Sequence, residues 1–324
     1  MKAIVCTQYG SPEVLELQNI EKPIPKEDDV LVKIYAASVT TADTIMRTGK
    51  PLFGRLFLGL TKPKYPITGT GFAGVIESIG IGVNKFKVGD KVFGESLFGF
   101  GTNAEYVCVP QCGVMVSKPE SISFKEAAPI CDGALTSINF LKCIANIKPG
   151  QKILINGASG SLGTAAVQLA KYFGAEVTGV CSYNNIEMVT ELGADKVIDY
   201  HQQDFTKLEQ TYDVIYDTVG TLSFSHCKLS LEKNGQFISP VLSFGLLIQV
   251  VWRSLFGDKK VKFAATGVKP TKELLLLVNE LKPLFEKNKI QTVIDREYKI
   301  EDIIDAHNYI DNGHKKGNIL ITIV

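Results

Sequence analysis

The sequence predicts an α/β protein of two domains, a small β-barrel-like domain followed by a parallel, doubly wound sheet. Three observations carry this. Up to about residue 125 the chain reads as short strands punctuated by glycine and proline, with no long helical period. Beyond Lys125 it changes to strand–helix alternation, the pattern of parallel sheets. Within that second part, Lys152–Lys171 joins an apolar strand to a helix through Gly157, Gly160 and Gly163. A length of 324 residues agrees with two cores rather than one.

In order, the extended runs of the first part include 30–35, 75–79, 88–93 (with Gly89-Asp90 at a turn) and 104–109. A helix is expected over 127–144, and Lys148-Pro-Gly150 turns the chain into the strand at 152. The alternation continues with a helix over 161–173, a strand over 176–181, a helix over 186–192 and a strand over 197–199. Further strands are expected at 212–217, 236–239 and 261–265. Residues 272–287 read as a helix that Pro283 should kink or break. Strand patterns near 291–298 and 318–324 flank an amphipathic helix over 300–309, a tail expected to return to the first domain. The expected domains are therefore 1–125 with 267–324, and 126–266. Val241–Trp252 is the most apolar window, too short to span a bilayer, and is expected as a buried or interface helix, with contact to a membrane surface as the alternative.

Composition narrows the function. Lysine and arginine number 35 against 34 acids, a net charge of +1, so no nucleic-acid footprint or polybasic anchor is expected. Strand-like sequence begins at Lys2, without a signal-peptide pattern. Seven scattered cysteines lack any C-x-x-C pair, which argues against a disulfide framework and a structural zinc lobe. A reducing cytoplasm is the expectation.

The glycine-rich turn carries the chemistry. Strand, glycine turn and helix, in that order, lay a pyrophosphate on a helix N-terminus. The spacing is G-x-x-G-x-x-G over 157–163, and Ser159, Gly160, Ser161, Leu162 and Gly163 are the expected phosphate contacts. Selectivity between nicotinamide cofactors is written at the next strand end, where an acidic residue would hold a ribose 2′-OH. Here the tip reads Val180-Cys-Ser-Tyr-Asn-Asn185, with no carboxylate before Glu187. A 2′-phosphate is not repelled there. Cys181 lines this corner, and Ser182 and Asn185 could donate to the phosphate; an ordinary strand-end serine is the plain alternative. Thr218, Val219 and Gly220 follow the fourth strand and Val241 to Ser243 the fifth, at the open end of the sheet where cofactors lie.

With these residues the chain resembles the medium-chain dehydrogenase/reductase superfamily, in its zinc-free quinone oxidoreductase branch. The landmarks are Gly69-Thr-Gly-Phe-Ala-Gly74, Val88-Gly-Asp90, the turn 157–163, Leu192-Gly-Ala-Asp-Lys-Val-Ile-Asp-Tyr200 and Gly313-His-Lys-Lys-Gly-Asn318. The resemblance implies a GroES-like catalytic domain around a Rossmann domain, NADPH in the cleft between them, and a homodimer. It brings Tyr200 to the corner of Ser182, and places Ser38–Asp43 and Thr136 beside the nicotinamide. Thr40, Asp43 and Thr136 are thereby the expected catalytic residues. Asp43 has a second reading as a helix cap.

Zinc-dependent members carry a first-domain cysteine and a Gly-His-Glu segment. Those positions read Thr40 and Gly69-Thr70-Gly71 here, so no metal is expected. No Ser/His/Asp set or carboxylate pair offers a proton donor, and His314 reads as a turn residue. The expected activity is hydride transfer from NADPH to a quinone or an α,β-unsaturated carbonyl. A non-catalytic NADPH-binding protein is the competing reading, and an alkenal reductase working at a membrane surface through 241–256 is a third.

Overall fold

The structure is a computed structural model. It describes every residue except Pro51, 97–100, Leu242, Ser243, Phe256, His314 and Val324. The expected roles of Ser243 and His314 lie outside the described residues. The chain divides into two compact units, Met1–Asp132 with Pro270–Val324, and Gly133–Lys269.

Unit 1 opens with β1 (Lys2–Cys6) and β2 (Leu15–Asn19), an antiparallel pair. The long strand β3 (Asp29–Val39) is almost continuously buried because it pairs antiparallel with three neighbours, β4 (Gly71–Ile79), β6 (Tyr106–Pro110) and the C-terminal β15 (Asn318–Thr322). Between β3 and β4 lie α1 (Thr41–Thr48), closed by Gly49 at φ 60°, and the single turn α2 (Arg55–Leu58). β5 (Lys91–Glu95), β7 (Val114–Ser117) and the late strand β14 (Ile294–Lys299) complete the sheet, with order β14-β15-β3-β4-β5-β7. The short helix α3 (Phe124–Ala127) starts at a Ser123–Glu126 capping box, and Phe124 stacks on Tyr35 at 4.7 Å. That packing holds α3 in unit 1, so the division falls after Asp132 rather than at residue 125.

The helix expected over 127–144 is interrupted. Ile130–Ala134 and Asn139–Ala145 are wide, π-type turns on either side of α4 (Leu135–Ile138). Such widened turns collect at functional sites.

Unit 2 is a six-stranded sheet, parallel in every pair. In chain order it contains β8 (Lys152–Asn156), α5 (Ser161–Tyr172), β9 (Glu176–Cys181), α6 (Ile186–Glu191), β10 (Lys196–Asp199) and β11 (Tyr212–Asp217). Then come α7 (Phe224–Cys227), β12 (Leu231–Ser239), α8 (Phe244–Leu255) and β13 (Lys260–Phe263). The strand order is β10-β9-β8-β11-β12-β13, which reverses direction between β8 and β11. Ligands of doubly wound sheets bind beyond the strand ends at that reversal. Leu154, Ile215 and Phe237 on the central strands pack with Phe224, Leu246 and Val261 in one apolar cluster. The apolar window forms α8. Leu246 is buried, whereas Leu247, Ile248 and Trp252 are exposed, so only one face of this helix meets the core. Among the described residues no helix is long and apolar enough to cross a membrane.

The tail returns to unit 1. The helix α9 (Thr271–Glu286) buries Leu274, Leu277, Val278, Leu281, Leu284 and Phe285 and runs through Pro283 without breaking. Pro283 lies in the last turn, where few intrahelical bonds remain to lose. β14 (Ile294–Lys299), α10 (Ile303–Asp311) and β15 follow, and β15 inserts between β14 and β3.

Candidate functional site

The turn after β8 is built by three glycines with three different duties. Gly157 has φ 76°, and a Cβ on it would lie 2.3 Å from Val219 Cγ2 and 2.7 Å from Thr218 Oγ1. It therefore lets the loop after β11 close over the turn. A Cβ on Gly163 would lie 2.0 Å from the Gly157 carbonyl oxygen, so Gly163 lets α5 press against the turn. A Cβ on Gly160 would meet only the Gly157 oxygen, at 3.5 Å, and so would point into open space. Gly160 is also the N-cap of α5, and no side chain caps this end. Twelve residues of helix thus direct the N–H groups of their first turn at an open volume, the arrangement that receives a phosphate. Ser159 and Ser161 are largely buried beside it, and Ser137 on α4 donates to the Leu162 carbonyl, tying α4 to the first turn of α5. Thr136 is the neighbouring residue on α4 and is half-buried.

The selectivity corner is assembled from two strand ends. The Gly157 and Ala158 amides both donate to the Val180 carbonyl, clipping the turn to β9. The Tyr200 amide donates to the Cys181 carbonyl at 3.2 Å, bringing the exposed Tyr200 ring to the end of β9, where it packs on His201. Cys181 is buried, and burial first, then the Asp199 charge, push its thiol up to about 11. It is a packing residue, with no reactive thiolate near neutral pH. Asn185 is buried, and its Nδ2 donates to Ser159 Oγ at 3.0 Å and Ser182 Oγ at 3.2 Å. Both amide hydrogens are therefore spent within the protein, and the expected phosphate-donor role of Asn185 gives way to an internal one.

A residue missed in the sequence governs the loop after β11. Asp217 is fully buried. It accepts from Asn156 Nδ2 at 2.9 Å and from the amides of Val219, Gly220 and Leu222 at 2.9–3.2 Å. Asn156 and Asp217 are register partners at the ends of β8 and β11, the reversal point itself. Thr218 donates its hydroxyl to the Asn156 carbonyl at 2.7 Å, and the neighbouring Val219 side chain is exposed. A Cβ on Gly220 would meet Val241 Cγ1 at 2.4 Å, so Val241 flanks the same loop. In the sequence Asp217 reads only as the last residue of a buried strand; the signal was its acid character among apolar neighbours.

In unit 1, Thr40 and Asp43 come together at the start of α1, as a capping box. The Thr40 amide and hydroxyl both donate to Asp43 Oδ2, at 2.7 and 2.9 Å, and Ala42 N donates to Thr40 Oγ1. Asp43 Oδ1 accepts from the Gly69 amide at 2.9 Å. Thr40 has spent its hydroxyl hydrogen, so its expected role as donor to a carbonyl substrate is replaced by capping. Asp43 is fully buried, and burial pushes its carboxyl up to about 6 despite these hydrogen bonds. Its second reading is the N-cap of a helix from Thr44 onward; the helix instead starts at Thr41, and Asp43 caps it from the N3 position, with Thr40 as the N-cap.

Asp43 belongs to a group of titratable side chains that spacing did not reveal. Glu95 ends β5 opposite Gly71. Burial, followed by the charges of Asp132 and Asp43, pushes its carboxyl up to about 8. Burial also raises Asp132, against the pull of Lys315, and lowers Lys315 against Asp132, Asp43 and Asp295. Cys131 is held well above the usual thiol range by burial, then by Glu95 and Asp132. These residues come from four separate stretches of chain. Their convergence is a property of the sheet, not of any motif.

The zinc-ligand positions do not fit a metal. Thr40 is committed to its cap. A Cβ on Gly71 would lie 2.4 Å from Ser38 Oγ and 2.8 Å from the Ala128 carbonyl oxygen, so no ligand side chain fits there without a shift. Among the described residues no three His, Cys, Asp or Glu side chains cluster as metal ligands.

Comparison with known proteins agrees with this architecture. Residues 26–120 match the alcohol dehydrogenase GroES-like domain family, and residues 192–321 match the zinc-binding dehydrogenase family. A 2-methylene-furan-3-one reductase of Solanum lycopersicum is 33% identical over 333 residues, spanning 99% of this chain and 79% of that protein. A chloroplastic NADPH-dependent alkenal/one oxidoreductase of Arabidopsis thaliana is 28% identical over 344 residues, spanning 99% of this chain and 79% of that protein. Among solved structures, the quinone oxidoreductase of Coxiella burnetii superposes with a TM-score of 0.88 at 28% identity, spanning 100% of this chain and 99% of that one.

Proposed function

This chain belongs to the medium-chain dehydrogenase/reductase superfamily, among its quinone oxidoreductases, and we propose that it passes a hydride from NADPH to a quinone or an α,β-unsaturated carbonyl without zinc. The observation that carries the reading is the turn at Gly160, an uncapped helix N-terminus facing open space beside a strand end without a carboxylate. An NAD-selective site would place an acid at that strand end; Ser182 and Tyr200 stand there instead. The residues of unit 2 fit a dinucleotide. Backbone amides at the start of α5 receive the pyrophosphate, and the loop that Asp217 braces flanks it. When bound, the nicotinamide supplies the hydride.

The acceptor class follows from what unit 1 lacks and holds. The positions that bind zinc in alcohol dehydrogenases of this superfamily carry Thr40, Thr70 and Gly71, which are poor or impossible ligands. Without a Lewis acid, electron-poor acceptors are the ones a nicotinamide can reduce. The Solanum and Arabidopsis relatives are named for a methylene ketone and for alkenals and enones, which supports that class. The proton that completes the reduction has a source other than water in Glu95, whose carboxyl burial raises to about 8, beside Asp132, which burial also raises.

A panel of quinones, enones and primary alcohols, followed at the NADPH absorbance band, tests the proposal. Turnover of quinones or enones with retained activity in chelator is the expected result. Robust alcohol oxidation with stoichiometric zinc would overturn it. Tight NADPH binding with silence across the panel would select the non-catalytic reading. A homodimer in the cytoplasm remains part of the proposal, checked by sedimentation and by cell fractionation.

A further inference from the structure

Asn185 sits beneath the selectivity corner with a hydrogen-bond pattern of fixed direction. Its side chain is buried, and the amide nitrogen donates once to Ser159 in the glycine turn and once to Ser182 at the end of β9. The Asn185 backbone amide also donates to the Ser182 carbonyl at 2.9 Å, which locks the amide side chain under both serines. Its Oδ1 is buried and has no hydrogen-bond partner among the described residues. The opposite amide orientation would strand two N–H donors in place of one carbonyl oxygen, a larger desolvation cost. The amide nitrogen therefore faces the serines.

This direction has a consequence for the hydroxyls. A serine oxygen that accepts from an amide keeps its own hydrogen for another acceptor. Ser159 and Ser182 hang on one nitrogen, so their oxygens lie within two hydrogen-bond lengths of each other. Both hydrogens are then available to a single group rich in acceptors, and a phosphate monoester is such a group. A carboxylate at position 185 would do the reverse, accepting both hydroxyl hydrogens and turning the serines into acceptors that a ribose hydroxyl could satisfy.

We propose that Asn185 is a specificity-determining positioning residue that sets the hydrogen polarity of Ser159 and Ser182, so that both donate to the 2′-phosphate of NADPH while Asn185 itself does not touch the nucleotide. The inference rests on the dinucleotide reading of unit 2 and deepens it.

The test is equilibrium titration of the full chain with NADPH and with NADH, for the parent, Asn185→Ala, the pair Ser159→Ala/Ser182→Ala, and the triple variant. Loss of the fixed polarity should weaken NADPH by roughly two- to tenfold, the worth of a net hydrogen bond or less. NADH affinity should stay within a factor of about two. In the background lacking both serines, Asn185→Ala should have no further effect on NADPH. Equal weakening of both nucleotides by Asn185→Ala would overturn the proposal, as would a full Asn185→Ala effect on NADPH without the serines. An unliganded thermal melt of each variant separates these results from misfolding. If the folded parent binds neither nucleotide, the dinucleotide reading itself fails. If the parent binds both and the NADPH-to-NADH ratio is unmoved by Asn185→Ala, only this inference fails.

Discussion

Unit 2 handles the polar groups around its turn mostly with neutral partners, whereas unit 1 gathers ionisable groups that burial has shifted. Around the turn of unit 2 the actors are Asn185, Ser159, Ser182, Thr218 and bare backbone amides, with the fully buried Asp217 satisfied by four donors. Unit 1 holds Asp43, Glu95 and Asp132 near Lys315, and a second group in which fully buried Arg47 donates to Gly10 O, His307 Nδ1 and Asp311. The contrast follows from duty. A surface that must accept an anion gains nothing from a fixed negative charge, while neutral donors and a helix N-terminus are ready without reorganisation. A region that must supply or store a proton needs groups whose affinity for protons has been moved, and burial is the means.

The contrast can be broken first at its exception. Asp217→Ala strips the acceptor from Asn156 Nδ2 and three loop amides at once, and should destabilise the chain by about 3–5 kcal/mol, as removal of one side of a buried charged network does. Urea unfolding with and without NADPH checks this. A cost below about 1 kcal/mol would mean that water replaces the carboxylate there. Next, Gly160→Val puts a side chain into the space before α5, its Cβ in ordinary contact with the Gly157 oxygen at 3.5 Å. NADPH affinity should drop about 100-fold, near 2.8 kcal/mol, with the unliganded melting temperature unchanged. Unaltered affinity would place the phosphate elsewhere.

The charge stored in unit 1 should appear as pH dependence at both ends. Burial, reinforced by Arg47, lowers His307 to about 4, against an ordinary 6.5. The unfolded chain therefore takes up this proton first as pH falls through 6.5, and stability declines towards pH 4. Between pH 7 and 4.5 the loss assigned to His307 is about 2.5 kcal/mol. A His307→Gln variant should show a correspondingly flatter acid limb in chemical denaturation, and an unchanged limb would refute the assignment. Glu95 has the opposite sign. Its carboxyl, raised to about 8, favours the folded state below the unfolded value of 4.5, and this contribution is lost as pH rises through 8. Glu95→Gln should therefore gain on the parent between pH 6 and pH 9. Glu95 is only half-buried, so solvent screening limits the gain to about 1 kcal/mol. Paired melting curves at the two pH values measure it.

The architecture was legible because it is periodic. The strand–helix alternation and the glycine turn are local signals and appear where the pattern put them, while the division of the chain falls after Asp132 rather than at Lys125. Resemblance added the GroES-like identity of unit 1. The site was legible only where one stretch of chain makes it. Ser159 to Gly163 form the turn itself, whereas Asp217 acts through Asn156, which is 61 residues away along the chain. Asn185 could be singled out from its position at the strand end, but its direction of donation depends on Ser159 across a loop. Thr40 and Asp43 carried a capping-box spacing as well as a family role, and local geometry favoured the cap. The interruption of the 127–144 helix has no signature in apolar spacing, since an extra residue per turn leaves the apolar face nearly continuous over one turn.

The place of β15 orders the birth of the molecule. Unit 2 is one uninterrupted stretch, Gly133–Lys269, and all its strands have emerged before α9 is made. Unit 1 begins earlier but cannot close, because β3 awaits a partner encoded at Asn318–Thr322. On the ribosome the second unit made is thus the first able to fold, while the N-terminal strands wait with an open edge on β3. A chain halted near residue 290 would carry a foldable dinucleotide unit tethered to an incomplete sheet, the species in which strand-edge aggregation would start.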